Sequence, residues 1–313
     1  MNFTSRWTVI TVLMAATTLY GADAPVPNAA WKTDLLAWRA QQAKDLQRPD
    51  GWLTLIGLEW LKPGENSFGS GKGSAIVVKA PTPAILGVVN LQGNTLQLLP
   101  PKGGYPSGLM VDGKAPANPQ PLVSDNPGKP SRMTFGSVIV TVIHRGDRYA
   151  LRIKNSQSPE RLHFKGLKWF PPNEAYRVTA KWSPYNPPHQ VPVPTILGTE
   201  VMSEVPGIAE FTLEGKTYHL EPILEQPDDK ELFFIFRDTT AKTETYGAGR
   251  FLYTPVPDHG LSQSGEVVLD FNRAESPPCA YTPYATCPLP VPQNRLQVSI
   301  PAGQLRYHER ESR

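Results

Sequence analysis

The residues best suited to chemistry lie in the last third of this chain. Three polar clusters sit on or after apolar runs: Arg237-Asp238-Thr239-Thr240 after LFFIF, Thr245-Tyr246-Gly247-Ala248-Gly249-Arg250, and Asp270-Phe271-Asn272-Arg273 after VVL. Charged groups placed just after buried strands can be gathered at one end of a sheet, with acids and arginines side by side. There Arg250 and Arg273 would grip a carboxylate or phosphate through paired N–H donors. Asp270 would act as a base or orient an arginine, and Tyr246, Asn272 and Asn294 would position the ligand. The competing reading is an Arg–Asp network that closes the end of the fold, because structural ion pairs cluster in the same way. Spacing alone does not separate the two.

Between these groups runs Asp270 to Gly303, which holds both cysteines, Cys279 and Cys287, and six prolines within Pro277 to Pro292. Proline stiffens the unfolded chain, so such a loop is ordered at low entropic cost. As a disulfide the cysteines close a nine-residue loop. The chain-entropy estimate for that closure is about 2.5 kcal/mol, less where prolines already restrict the loop. As a nucleophile either cysteine needs a base, and the nearest histidines in sequence are His259 and His308. As metal ligands they lack a usual zinc spacing and a second pair. A structural disulfide, buried free thiols and a catalytic or metal role stay open. The six histidines form no HxH or HExxH pattern, and there is no nucleophile elbow or phosphate-binding loop. No metal and no cofactor is expected.

The elements that must hold these residues are mostly strands. Proline makes up 34 of 313 residues, about twice its usual share, and is spread along the chain. That composition favours many short strands joined by stiff turns. Hydrophobic content of 40% with 19% charged residues fits a folded protein. The net charge of +3 is too small to imply nucleic acid. Arg6 followed by the uncharged run Trp7 to Ala22 and by Ala22-Asp23-Ala24 reads as a signal peptide over residues 1–24, which implies a periplasmic or secreted protein. No integral membrane segment is expected in the mature chain.

Residues 25–51 hold one helix, Trp31 to Arg48, with Trp31, Leu35, Trp38 and Leu46 on or near one face and Lys32, Arg39 and Lys44 elsewhere. Residues 52–154 read as a small β domain with turns at Gln92-Gly93-Asn94, Asp112-Gly113 and Arg145-Gly146-Asp147. Residues 155–194 read as a connecting segment. Residues 195–313 read as a second β domain, with a hairpin across Glu214-Gly215-Lys216 and buried strands in ELFFIFRD and VVLDFN. The expected fold is mainly β: a short N-terminal helix, a small β-sandwich, and a larger C-terminal sandwich or barrel that carries the site.

GWLTLIGLEWLKPGENSFGS, FRDTTAKTETYGAGRFL and DFNRAESPPCAYTPYATCPLPVPQNRL together resemble the bacterial family of domain of unknown function 1684 (DUF1684), over about Trp38 to Gly303. The resemblance implies no established activity. Where that family usually has Asn, Glu and Glu, this chain has Ser276, Gln293 and Gln304, so two carboxylates are replaced. PGENSFGSGKGSAIVV followed by MVDGK also looks somewhat like a forkhead-associated domain, whose turns bind phosphothreonine. Here Ser70 stands where that family has Arg, and no Ser-x-x-His follows. The resemblance then implies a packing module rather than a phosphopeptide reader.

The functional expectation is a small anionic-ligand pocket in the C-terminal β domain. Two alternatives remain. One is a non-enzymatic envelope module that binds protein or glycan through Trp169 and Trp182. The other is a hydrolase with a cysteine nucleophile.

Overall fold

The computed structural model describes residues 28–126, 128–226 and 229–307. The expected signal peptide, and His308, lie outside the described residues. The first described element is helix α1 (Ala29–Leu46), capped by the Asn28 side chain, which accepts from the backbone N–H groups of Ala30 and Trp31. Leu35, Arg39 and Leu46 are buried along one side.

Two five-stranded sheets follow. One holds β1 (Leu55–Trp60), β6 (Met110–Val111), β8 (Met133–Phe135), β9 (Val138–Arg145) and β10 (Arg148–Asn155), in the order β1-β10-β9-β8-β6. The other holds β2 (Gly64–Gly69), β3 (Ile76–Val77), β4 (Gly87–Gln92), β5 (Thr95–Leu99) and β7 (Gln120–Leu122), in the order β3-β2-β4-β5-β7. Alternate residues of both sheets, among them Phe68, Val89, Leu98, Val140, Val142, Leu151 and Ile153, fill one shared core. That is the packing of a sandwich, and the alternation follows from the two-residue side-chain period of a strand. The β4–β5 and β9–β10 hairpins turn at the expected positions.

The rest of the chain forms a four-stranded antiparallel sheet and a two-stranded ladder. The sheet holds β11 (Arg177–Pro194), β12 (Glu200–Leu213), β13 (Lys216–Leu220) and β16 (Gly265–Asp270), ordered β13-β12-β11-β16. The ladder pairs β14 (Glu231–Phe236) with β15 (Arg250–Pro255). Leu232, Phe234 and Phe236 point into the core shared with Trp182, Phe211, Leu220 and Leu269, whereas Phe233, Ile235 and Phe251 face a second cluster with Val193, Ala285, Cys287 and Val291. The ladder is thus buried on both faces, as a continuous apolar run requires. No closed barrel forms; of the two C-terminal forms expected, the barrel is absent.

The proline-rich stretch read as part of a connection is the longest strand. β11 pairs with β16 only from Arg177 to Trp182, then continues along β12 alone past a register shift between Pro184 and His189. Its prolines therefore lie where one side of the strand needs no N–H donor, which is where a sheet tolerates them.

The last segment, Leu296 to Leu305, is irregular but built in. Gly303 has φ +83°, and a Cβ there would sit 2.4 Å from the Ala274 carbonyl oxygen. Only glycine fits that approach.

Candidate functional site

Arg250 begins β15 and points inward. It is 1% exposed. Its Nη2 donates to Asp238 Oδ1 at 2.9 Å and to the Ile300 carbonyl at 3.1 Å, and its Nη1 donates to the Ala302 carbonyl. The guanidinium lies over the Phe236 ring, 5.0 Å from its centre. Asp238 is filled from its other side by Thr240 Oγ1 and the Ile300 N–H. This is a closed ion pair that fastens the C-terminal segment to the β14–β15 ladder.

Asp270, Asn272 and Arg273 form a second closed group under α1. Trp31 Nε1 donates to Asp270 Oδ2 at 2.7 Å, and the Asn272 N–H and Nδ2 both donate to Asp270 Oδ1. Asn272 also exchanges hydrogen bonds with the backbone of Asn173. Arg273 bridges Asp34 of the helix and Asp270, and lies over the Trp38 ring. Arg39, expected off the packed face, is 6% exposed because its guanidinium caps the carbonyls of Phe170 and Asn272. Desolvation lowers its pKa to about 10, against the pull of Asp270. A long side chain can bury its stem and still find acceptors, so a positive charge on a helix is a poor marker of its exposed face.

Asn294 is a third, separate clamp. Its Nδ2 donates to the carbonyls of Glu221 and Ile235, and its Oδ1 accepts from the Glu221 N–H. Arg250, Asp270, Asn272, Arg273 and Asn294 are thus distributed over three networks whose partners are other parts of the chain. The structure does not bring them together around one cavity. Trp182 is fully buried, and Trp169 packs against Trp38 and Arg39 under the helix, so neither forms an exposed aromatic contact face.

Tyr246 is the predicted residue that does face open space. It lines a cleft of about 740 Å³ with Arg237, Lys242, Cys279, Tyr281, Thr282 and Arg306. One wall is the turn after β14. There Asp238 caps a 3-10 helix (Thr239–Lys242) through the Thr240 N–H, and Arg237 Nε donates to the Gly247 carbonyl. The opposite wall is the proline-flanked turn at Pro278–Ala280 and the residues after it. The Tyr246 hydroxyl spans the walls by donating to the Cys279 carbonyl at 3.0 Å. Arg306 holds the floor, with its guanidinium on the carbonyls of Thr245 and Ala241. Among the described residues, the lining carries three cations and no carboxylate. Lys242 and Arg306 are not marked in the sequence, because they lie 64 residues apart and only the irregular C-terminal segment brings them to one cleft.

Cys279 and Cys287 are free thiols in this structure, and the Cys279 N–H donates to Cys287 Sγ at 3.2 Å. The hydrogen bond from the Cys287 thiol, aided by Tyr246, outweighs burial and holds the Cys279 pKa below its usual value. The same thiol pairing, with burial, pushes Cys287 up. Cys279 lines the cleft, while Cys287 is 4% exposed on the far side of the loop. Among the described residues, the lining offers Cys279 no histidine or carboxylate base. Among the described residues, no group of three or more His, Cys, Asp or Glu is placed to hold a metal, and no helix is long and apolar enough to cross a membrane.

Residues 162–305 match the model of the family described as Protein of unknown function (DUF1684). That half of the chain belongs to the DUF1684 family. The match includes the Cys/Pro-rich loop and both cleft walls, but leaves out the first sandwich, so it is narrower than the near full-length resemblance expected from sequence. Of the three departures from the usual family residues, Ser276 and Gln304 touch: the Ser276 N–H donates to Gln304 Oε1 at 3.1 Å. Gln293 is exposed elsewhere. A solution structure of an uncharacterized protein of Haloarcula marismortui is 36% identical over 47% of this chain and 80% of that chain, with a TM-score of 0.41. That relative is archaeal, and a bacterial origin does not follow from it. No curated protein matches the chain.

Proposed function

We propose that this protein binds a small organic anion in the Tyr246–Cys279 cleft. The carrying observation is the lining: Arg237, Lys242 and Arg306 converge on a space of about 740 Å³ whose described lining holds no acid. Arginine presents planar paired donors suited to carboxylate or phosphate, and lysine adds a mobile point charge. The Tyr246 and Tyr281 rings with Ala280 and Pro283 supply apolar surface, which suits a ligand with a carbon body behind its charged group. Arg306 is anchored on two carbonyls, so part of the site is set before the ligand arrives. We place this binding in an exported protein, on the charge pattern of residues 1–24.

The Cys279 thiol on the wall supports a second reading, hydrolysis through a cysteine nucleophile. Its lowered proton affinity favours that reading, and the lack of a base among the described lining residues weighs against it. Binding without chemistry is therefore the preferred reading.

A thermal-shift screen with carboxylates, phosphates and nucleotides tests the proposal. Hits stabilise the protein by about 2.7 kcal/mol at a hundred times their Kd. Arg237→Ala and Lys242→Ala each weaken the hits about tenfold, the scale of one charge-assisted hydrogen bond. A screen without hits, or hits indifferent to both substitutions, overturns it.

A further inference from the structure

Behind the Pro278–Tyr281 turn lies a second cleft, of about 410 Å³, between that turn and the C-terminal end of α1. Its charged lining residues are Asp45, Arg48, Asp50, Lys154 and Glu275, with Ser276 beside them. Two features of it are unused by the fold. Ser276 is 4% exposed, and its Oγ makes no hydrogen bond of normal geometry among the described residues; it interacts with the Tyr281 phenol, which is already paired in both directions with Gln304. A buried hydroxyl without a partner costs free energy, so it marks a place where a ligand can restore the bond. The Gln304 amide is engaged instead with the Tyr281 hydroxyl and the Ser276 N–H.

The second feature is Glu275. Among the described residues it has no ion-pair partner. With its amide turned to satisfy both neighbours, Gln42 accepts from Trp38 Nε1 at 3.0 Å and donates to Glu275 Oε2 at 3.1 Å. That leaves the carboxyl oriented but without a counter-charge. The charged groups around the cleft do not supply one. Asp50 is matched by Arg48 and Arg132, and Lys154 Nζ donates to the Asp50 carbonyl. The remaining charged group is Asp45, which adds negative charge. Tyr281 and Tyr253 also face Glu275, and both phenols are held neutral by burial.

We propose that this second cleft binds a small hydroxylated amine, the ammonium pairing with Glu275 and a hydroxyl of the same molecule bonding Ser276 Oγ. Both residues line this cleft, so one small molecule carrying an amine and a hydroxyl can address the two groups together. Trp52, Leu46 and Leu167 line the same space and offer apolar surface to a ring, and the volume admits a monosaccharide-sized amine. Burial alone raises the pKa of Glu275 to about 7, so an arriving ammonium would draw the proton off it.

The test uses the full chain and glucosamine, with glucose and cyclohexylamine as probes lacking the ammonium or the hydroxyls. Carboxyl NMR follows the Glu275 titration with and without each probe. Glucosamine should lower its midpoint by about one pH unit, equivalent to about tenfold tighter binding to the ionised form. Glucose should leave the midpoint in place, and cyclohexylamine should lower it less. Glu275→Gln, a neutral isostere, should lose about tenfold or more of the glucosamine affinity while keeping the folded amide spectrum. Ser276→Ala should weaken it about fivefold. The proposal is overturned if glucosamine moves the midpoint no more than glucose does, or if Glu275→Gln binds it as the wild type does. Anion binding in the Tyr246–Cys279 cleft is independent of either outcome.

Discussion

Glu275→Gln should stabilise this protein at alkaline pH and change it little at acidic pH. The carboxyl is desolvated, with no cation among the described residues to offset the loss of water, and its pKa rises from an ordinary 4.5 to about 7. Between those values the native protein keeps a proton that the unfolded chain gives up. The native state then binds more protons, so the contribution of Glu275 to stability is present in full below pH 4.5 and is lost as pH rises through about 7. At about 1.4 kcal/mol for each tenfold change in proton affinity, the loss reaches at most about 3 kcal/mol by pH 8 and about 1 kcal/mol at pH 5. Glutamine removes the cost of ionisation while keeping a polar head for Gln42. Urea unfolding at the two pH values measures the difference. With a slope of about 3 kcal/mol per molar, the midpoint of the variant should exceed that of wild type by about 1 M at pH 8 and by a few tenths at pH 5. Equal shifts at both pH values, or a variant less stable at pH 8, would refute the reasoning.

Three further outcomes follow from the closed networks and the thiol pair. Arg250→Ala strands Asp238 in the core and should cost about 3 to 5 kcal/mol in urea unfolding, with anion affinity unchanged under conditions where the variant is folded; a cost under about 1 kcal/mol would contradict the buried pair. Arg39→Met keeps the packed stem but leaves the Phe170 and Asn272 carbonyls without their donor. It should cost about 1 to 3 kcal/mol and speed amide exchange in α1 before the sheets, as read by hydrogen exchange. Iodoacetamide near neutral pH should label Cys279 ahead of Cys287, because Cys279 lines the cleft with a lowered pKa while Cys287 is buried with a raised one. Peptide mass spectrometry at short times reads the ratio, and equal labelling would count against the thiol assignment.

The β character was legible because its signals are local. Glu214 and Gly215 both take positive φ at the predicted hairpin turn, and β14 is an uninterrupted apolar run. The position of α1 was legible for the same reason, but the burial of Arg39 was not, since it depends on carbonyls 131 and 233 residues away. β11 was hidden by its prolines, which argue against a strand until one edge is known to lack a partner beyond Trp182. The candidate site divided along the same line. Arginines and acids at strand ends were visible as types, but which of them meet one another and which face open space is set by how Leu296 to Leu305 folds back. That segment has no periodicity to read. It supplies the Ile300 and Ala302 carbonyls that hold Arg250 in the core and brings Arg306 onto the Thr245 carbonyl beside Tyr246.

The most direct measurement is the rate of Cys279 alkylation by a neutral reagent, with and without a saturating anionic hit from the screen. Cys279 stands on the wall of the cationic cleft, so a ligand bound there covers the thiol and its charge disfavours the thiolate. The rate should fall by about tenfold or more, a tenfold change corresponding to one pH unit of thiol pKa. An anion that binds with measurable affinity yet leaves that rate unchanged would place the binding site elsewhere and contradict the account.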